Sequence, residues 1–167
     1  MKKFCLLVSL ALIFQPCLAG DEFTLYLVRH AEKQIDIKNP QLTQCGKERA
    51  RQLATLLSEA KIKSIYSTSY QRTMSTAAPL ANQQQLAIKN YNPKQLKQVS
   101  LQLKQNKQNA LIVGHSNTTP QLAHLLSDKK TEPLTEQDYQ ELYQVQFNGE
   151  QISLTKLMQP HVCSTKK

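Results

Sequence analysis

Three short apolar runs each lead directly into basic side chains. Phe23 to Val28 ends at Arg29-His30, Ala110 to Val113 ends at Gly114-His115-Ser116-Asn117, and Ile62 to Tyr66 is soon followed by Arg72. Either histidine alone reads as a solvated strand terminus. Together, two imidazoles and two guanidiniums aimed from three strand ends make a constellation suited to a phosphoryl group. Guanidinium forks match phosphate oxygens bidentately, a helix N-terminus offers free N–H groups, and a neutral imidazole can attack phosphorus. Serine-based acyl transfer fits less well: Ser116 lacks a G-x-S-x-G elbow, and Ser69 has no sequence context for a triad. A metal held by His30 and His115 would be repelled by Arg29, and no carboxylate-rich cluster surrounds them. No metal or other cofactor is expected.

The elements that must position these groups alternate. Phe23–Val28, Ile62–Tyr66, Leu86–Lys89 and Ala110–Val113 read as short buried strands. Between them, Gly46–Ala60 carries Ala50, Leu53, Ala54, Leu56 and Leu57 at helical spacing. Tyr70–Asn82 reads as a second helix, Pro93 opens a third with Leu96, Val99 and Leu103 on one face, and a fourth spans about Pro120 to Leu126. This β-then-α order predicts an α/β fold, a three-layer α/β/α sandwich around a mostly parallel sheet. Leu142–Phe147 and Ile152–Leu157 flank Asn148-Gly149 as a hairpin, which adds at least one antiparallel strand. In such sheets ligands collect where strands end at their carboxyl edge, and the basic groups cluster there. The lysines of the third helix read as a solvated face, and His124 in its apolar helix as a packed or half-buried residue.

The chain has 167 residues, 40% hydrophobic and 20% charged, enough to bury the core of one domain and unlike a disordered or fibrous chain. Phe4 to Phe14, preceded by Lys2 and Lys3, is too short to span a bilayer and reads as a signal peptide. Cys17 and Ala19 suit cleavage after Ala19, so residues 1–19 form the leader and 20–167 the domain, with 159–167 as a flexible tail. The expected location is extracytoplasmic: periplasmic behind an outer membrane, otherwise secreted, with no stable membrane anchor. Loss of the two leader lysines leaves 19 basic against 12 acidic residues, a net charge of +7. That balance favours anionic ligands. No basic patch interleaved with base-stacking aromatics accompanies it, so no nucleic-acid partner is expected. Cys45 and Cys163 remain, either as a disulfide or as two free thiols.

LVRHAEK (Leu27 to Lys33), QLTQCGKERA (Gln41 to Ala50), STSYQRTMSTAA (Ser67 to Ala78) and VGHSNT (Val113 to Thr118) resemble, in order and spacing, the histidine phosphatase superfamily, also called phosphoglycerate mutase-like. The resemblance implies a metal-free phosphatase acting on a small phosphorylated substrate through a phosphohistidine. It makes His30 the nucleophile, with Arg29, Arg72 and His115 holding the phosphoryl group. His30 must be neutral to attack, and His115 is more useful protonated, as a donor to phosphate. Asn117 reads either as a further phosphate donor or as a turn or capping residue. Two departures stand out. Ala31 replaces the family's usual glycine, and no Asp or Glu occurs from Ala60 to Ser127, where many members place a general acid. The acid is expected instead from Glu32 or from the group Glu132, Glu136 and Asp138, with Glu32 and Asp138 as the leading candidates. The missing mid-chain acid also motivates a competing reading, a non-catalytic phosphoryl-binding protein that keeps the pocket.

Overall fold

A computed structural model describes residues 22–35 and 38–160. The expected leader and both its cysteines, Cys163 and His161 lie outside the described residues. Six strands and four helices alternate as expected: β1 (Glu22–Arg29), α1 (Gln44–Leu56), β2 (Ser64–Ser67), α2 (Gln71–Gln84), β3 (Ile88–Asn90), α3 (Leu96–Asn106), β4 (Ala110–Gly114), α4 (Thr118–Ser127), β5 (Glu141–Asn148) and β6 (Gln151–Met158). They form one sheet in the order β3-β2-β4-β1-β5-β6. The first four strands in that order run parallel, and β5 and β6 are antiparallel.

Side chains alternate across the sheet and so divide the core in two. Leu25, Leu27, Ile112 and Val145 pack on one face against Leu96, Val99 and Leu103 of α3 and Leu122 and Leu126 of α4. Val28, Ile65, Leu111 and Val113 pack on the other against Leu53 and Ala54 of α1 and Ala77, Leu80 and Ala81 of α2. This is the three-layer α/β/α sandwich. From β1 the chain leaves over the α1 face toward β2, whereas from β4 it leaves over the α4 face toward β5. The adjacent ends of β1 and β4 are therefore a topological switch point, where an open α/β sheet forms a crevice.

Element ends differ from the expected ones for local reasons. Helix α1 begins at Gln44 because the Thr43 hydroxyl accepts the Gly46 N–H at 3.1 Å, and it stops at Leu56 rather than Ala60. Helix α3 starts at Leu96, not Pro93, because Asn92 Oδ1 accepts the Lys94 N–H and holds that stretch as a turn. The hairpin loop is Gly149-Glu150, with Gly149 at φ +59°. Gln159 is buried and its N–H donates to the Gln140 carbonyl at 2.8 Å, so the expected loose tail does not begin there. Gly46 has a steric reason: a Cβ on it would collide with the Glu32 carbonyl oxygen, where α1 presses on the loop after β1.

Candidate active site

Backbone register sets the site. Arg29 pairs with Gly114 across β1 and β4, and the His30 N–H donates to the Gly114 carbonyl at 3.0 Å. His30 and His115 are thereby neighbours, with ring centroids 5.7 Å apart. A cavity of about 370 Å³ opens over them, lined from all four parallel strand ends. The loop after β1 supplies Arg29, His30 and Lys33; β2 is followed by Tyr70 and Arg72; β3 by Pro93 and Lys94; β4 by His115, Ser116 and Asn117.

The His30 ring is 3% exposed as a residue, and its Nδ1 lies 2.8 Å from the Ala31 carbonyl oxygen. A carbonyl only accepts, so Nδ1 carries the proton and Nε2 keeps its lone pair. Burial, reinforced by the positive charges of Arg29 and Arg72, pushes the His30 pKa down to about 3. His115 behaves alike: burial first, then Arg72 and Arg29, lower it to about 4. Arg72 Nη2 donates to His115 Nδ1 at 3.3 Å, so its proton sits on Nε2, facing Thr68 Oγ1 at 3.0 Å. With the cavity free of an anion both imidazoles are neutral at neutral pH. The protonated His115 expected from sequence is a donor to bound phosphate; without an anion, burial and the same two guanidiniums that would attract phosphate disfavour that second cation.

Arg29 is fixed from several sides. Its Nη1 donates to the Thr135 carbonyl at 2.7 Å, its Nη2 to Glu136 Oε2 at 3.0 Å, and its guanidinium lies 4.2 Å over the Tyr139 ring. Arg72 lies 4.5 Å over Tyr70. The Nε of both arginines is buried with no hydrogen-bond partner among the described residues. Stacking on a ring face holds each fork in place while adding no competing acceptor.

The leading acid candidates are not where the chemistry would need them. Glu32 turns away from the cavity: its carboxylate takes Arg49 Nε at 3.0 Å and Arg49 Nη2 at 2.6 Å, tying the loop after β1 to α1. The Asp138 carboxylate accepts the Thr135 N–H at 2.6 Å, and hydrogen bonds from Thr135 hold it below the usual carboxylate range. Of the acidic residues weighed from sequence, Glu136 is the one that lines the cavity, its Oε1 3.4 Å from Ser116 Oγ. Asn117 also lines the cavity and makes no side-chain cap bond to α4. Ala31 is fully buried without a positive φ, so the backbone there does not require glycine. Sequence reasoning missed Thr68, Tyr70 and Tyr139. Tyr70 sits two residues before Arg72, a detectable signal, whereas Tyr139 reaches the site from a loop that carries none.

Residues 25–93 match the model of the histidine phosphatase superfamily (branch 1). No curated protein sequence matches the chain. Among solved structures, the protein histidine phosphatase SixA complexed with tungstate superposes with a TM-score of 0.69 at 15% identity, covering 81% of this chain and 96% of that one. The sequence match over residues 25–93 and the shared fold both point to the histidine phosphatase superfamily. Two further histidine phosphatase folds agree. The alpha-ribazole phosphatase from Shigella flexneri gives a TM-score of 0.64 at 16% identity, covering 81% of this chain and 96% of that one. The phosphoserine phosphatase from Entamoeba histolytica gives 0.59 at 15%, covering 83% and 98%. Among the described residues no helix is long and apolar enough to cross a membrane, and no group of three or more His, Cys, Asp or Glu is placed to hold a metal ion.

Proposed function

We propose that this chain is an exported phosphatase that hydrolyses small phosphomonoesters through a phosphohistidine on His30. The observation that carries the reading is a neutral imidazole with its Nε2 lone pair free, buried at the switch point among Arg29, Arg72 and His115. The superfamily match over residues 25–93 supports the reaction class. His30 Nε2 attacks phosphorus, the P–N bond forms, and the P–O bond to the leaving group breaks. Negative charge spreading over the transferring oxygens is met by fixed guanidiniums, which lowers the barrier by preorganisation. Glu136, which lines the cavity, relays a proton from solvent to the leaving oxygen. Its carboxylate then takes a proton from the water that attacks the P–N bond, which releases inorganic phosphate and restores His30. Asn117 lines the same cavity, where its amide is a further donor for those oxygens.

Export rests on the leader pattern and gains support from Cys45, which is disulfide-bonded to a cysteine outside the described residues. Such bonds persist in oxidising compartments. The test is turnover of an aryl phosphate with chelator present, from about pH 4 to 8, beside His30→Ala. Chelator-resistant turnover with acid-labile phosphate on the wild-type protein, and none in the variant, is the expected result. Equal activity in both proteins would refute the His30 mechanism. Phosphate binding without turnover would favour the non-catalytic reading. Fractionation of cells expressing the full chain tests export, and retention in the cytoplasm would overturn it.

A further inference from the structure

The cavity holds more positive charge than one phosphoryl group needs. Besides Arg29 and Arg72 it is lined by Lys33 and Lys94, and by a single carboxylate, Glu136, already bonded to Arg29. Neither lysine forms a salt bridge among the described residues. They enter from different places: Lys33 from the loop after β1, bridged to Leu42, and Lys94 from the turn after β3, whose backbone Asn92 fixes. Both histidines are neutral when the cavity is empty, so the lining carries four cations against one anion. A phosphomonoester brings about two negative charges at neutral pH and leaves an excess. An anion beside the phosphoryl group would be attracted by that excess.

We propose that Lys33 and Lys94 form a second anion subsite, and that the substrate is a small phosphomonoester carrying another anionic group, a carboxylate or a second phosphate. This rests on the phosphatase reading, in which Arg29 and Arg72 take the phosphoryl group to be transferred. The lysines then recognise the part of the substrate that does not react, so they set affinity and selection rather than the chemical step. A cavity of about 370 Å³ suits a metabolite-sized ligand.

Calorimetric titration of the full-length His30→Ala protein tests this with ligands that remain intact. Glycerol 3-phosphate against 3-phosphoglycerate isolates an added carboxylate, and a hexose 6-phosphate against the hexose 1,6-bisphosphate isolates an added phosphate. At least one doubly anionic ligand should bind more tightly than its singly anionic partner, and the pair that shows it identifies the second group. Lys33→Gln with Lys94→Gln should cut that preference by about threefold to thirtyfold, and Lys33→Arg with Lys94→Arg should restore it. Raised salt should erode it too. Equal affinity within both pairs, or a preference that survives the double Gln variant, overturns the subsite. If no phosphate ligand binds at all, the phosphatase reading of the site fails with it, a result distinct from monophosphate binding without preference.

Discussion

His30 makes acid stability a direct probe of the site. Its pKa is lowered from about 6.5 in an unfolded chain to about 3 in the fold, so between those values the unfolded state binds a proton that the native state refuses. The neutral ring's favourable fit is fully present above the unfolded value and is lost as pH falls toward the folded one. Each pH unit in that window costs about 1.4 kcal/mol, and from about pH 7 to about pH 5 the loss from this residue is about 2 kcal/mol. The drop is the same for any folded value well below 5. Urea unfolding of the wild type and of His30→Asn, in phosphate-free buffer at both pH values, isolates it. Carboxylates and the other histidines titrate in both proteins and cancel in the difference. The wild type should lose about 2 kcal/mol more than the variant over that interval, whatever the variant's stability at neutral pH. Equal losses would mean that His30 takes up a proton as readily in the native state as in the unfolded chain, and the argument from a lowered pKa would fall.

Other outcomes follow from the same contacts. Glu136→Gln should slow an alkyl phosphate by about 10²- to 10⁴-fold while slowing an aryl phosphate, whose leaving group needs little proton assistance, far less; an equal loss on both would remove Glu136 as the acid. Gly46→Ala drives a methyl group into the Glu32 carbonyl, and about 1 to 3 kcal/mol of overpacking should lower the thermal midpoint by about 3 to 10 °C, with an unchanged midpoint contradicting the packing. Tyr139→Leu removes the ring under Arg29, and inorganic phosphate should then inhibit about threefold to tenfold less strongly; undiminished inhibition would show that stacking does not hold the fork. Peptide mapping without reductant should recover Cys45 joined to Cys163, the other cysteine retained in a chain beginning at Gly20, and a reduced Cys45 would count against export.

The residues proposed to bind the phosphoryl group were legible because each sits at a strand end or soon after one, and strands buried on both faces are plain in sequence as apolar runs. Knowing that β1 and β4 end together requires only the switch-point rule, which the register of Arg29 with Gly114 obeys. The acid was harder. Glu32 lies two residues from the nucleophile, but Arg49, well over a helical turn into the sequence of α1, draws its carboxylate away. Glu136 and Asp138 occupy one loop, and which of them faces the cavity depends on a tight turn in which Asp138 caps Thr135. No periodicity encodes that choice. The neutrality of His115 in the empty cavity was not legible for a related reason: sequence names the charges but neither burial nor distances, and burial first, then Arg72 and Arg29, set the sign.

That sign gives the site its order of events. An empty cavity lined by guanidiniums keeps His115 neutral, with Nδ1 accepting from Arg72 and Nε2 donating toward Thr68, whose hydroxyl continues to Thr73. An arriving phosphate dianion reverses the local field, because opposite charge within a few ångströms favours the protonated imidazole. His115 then gains a proton on Nδ1 and becomes a donor to the ligand at the moment one is needed. His30 meets the same field but has its Nδ1 committed to the Ala31 carbonyl, so only Nε2 remains to take either a proton or phosphorus. Its deeper burial disfavours the proton more strongly, consistent with the lower of the two pKa values. In the proposed mechanism two imidazoles at one strand edge are thus driven apart in role by what their Nδ1 atoms touch: a carbonyl suits the first to be the nucleophile, and a guanidinium suits the second to be a donor conditional on the anion.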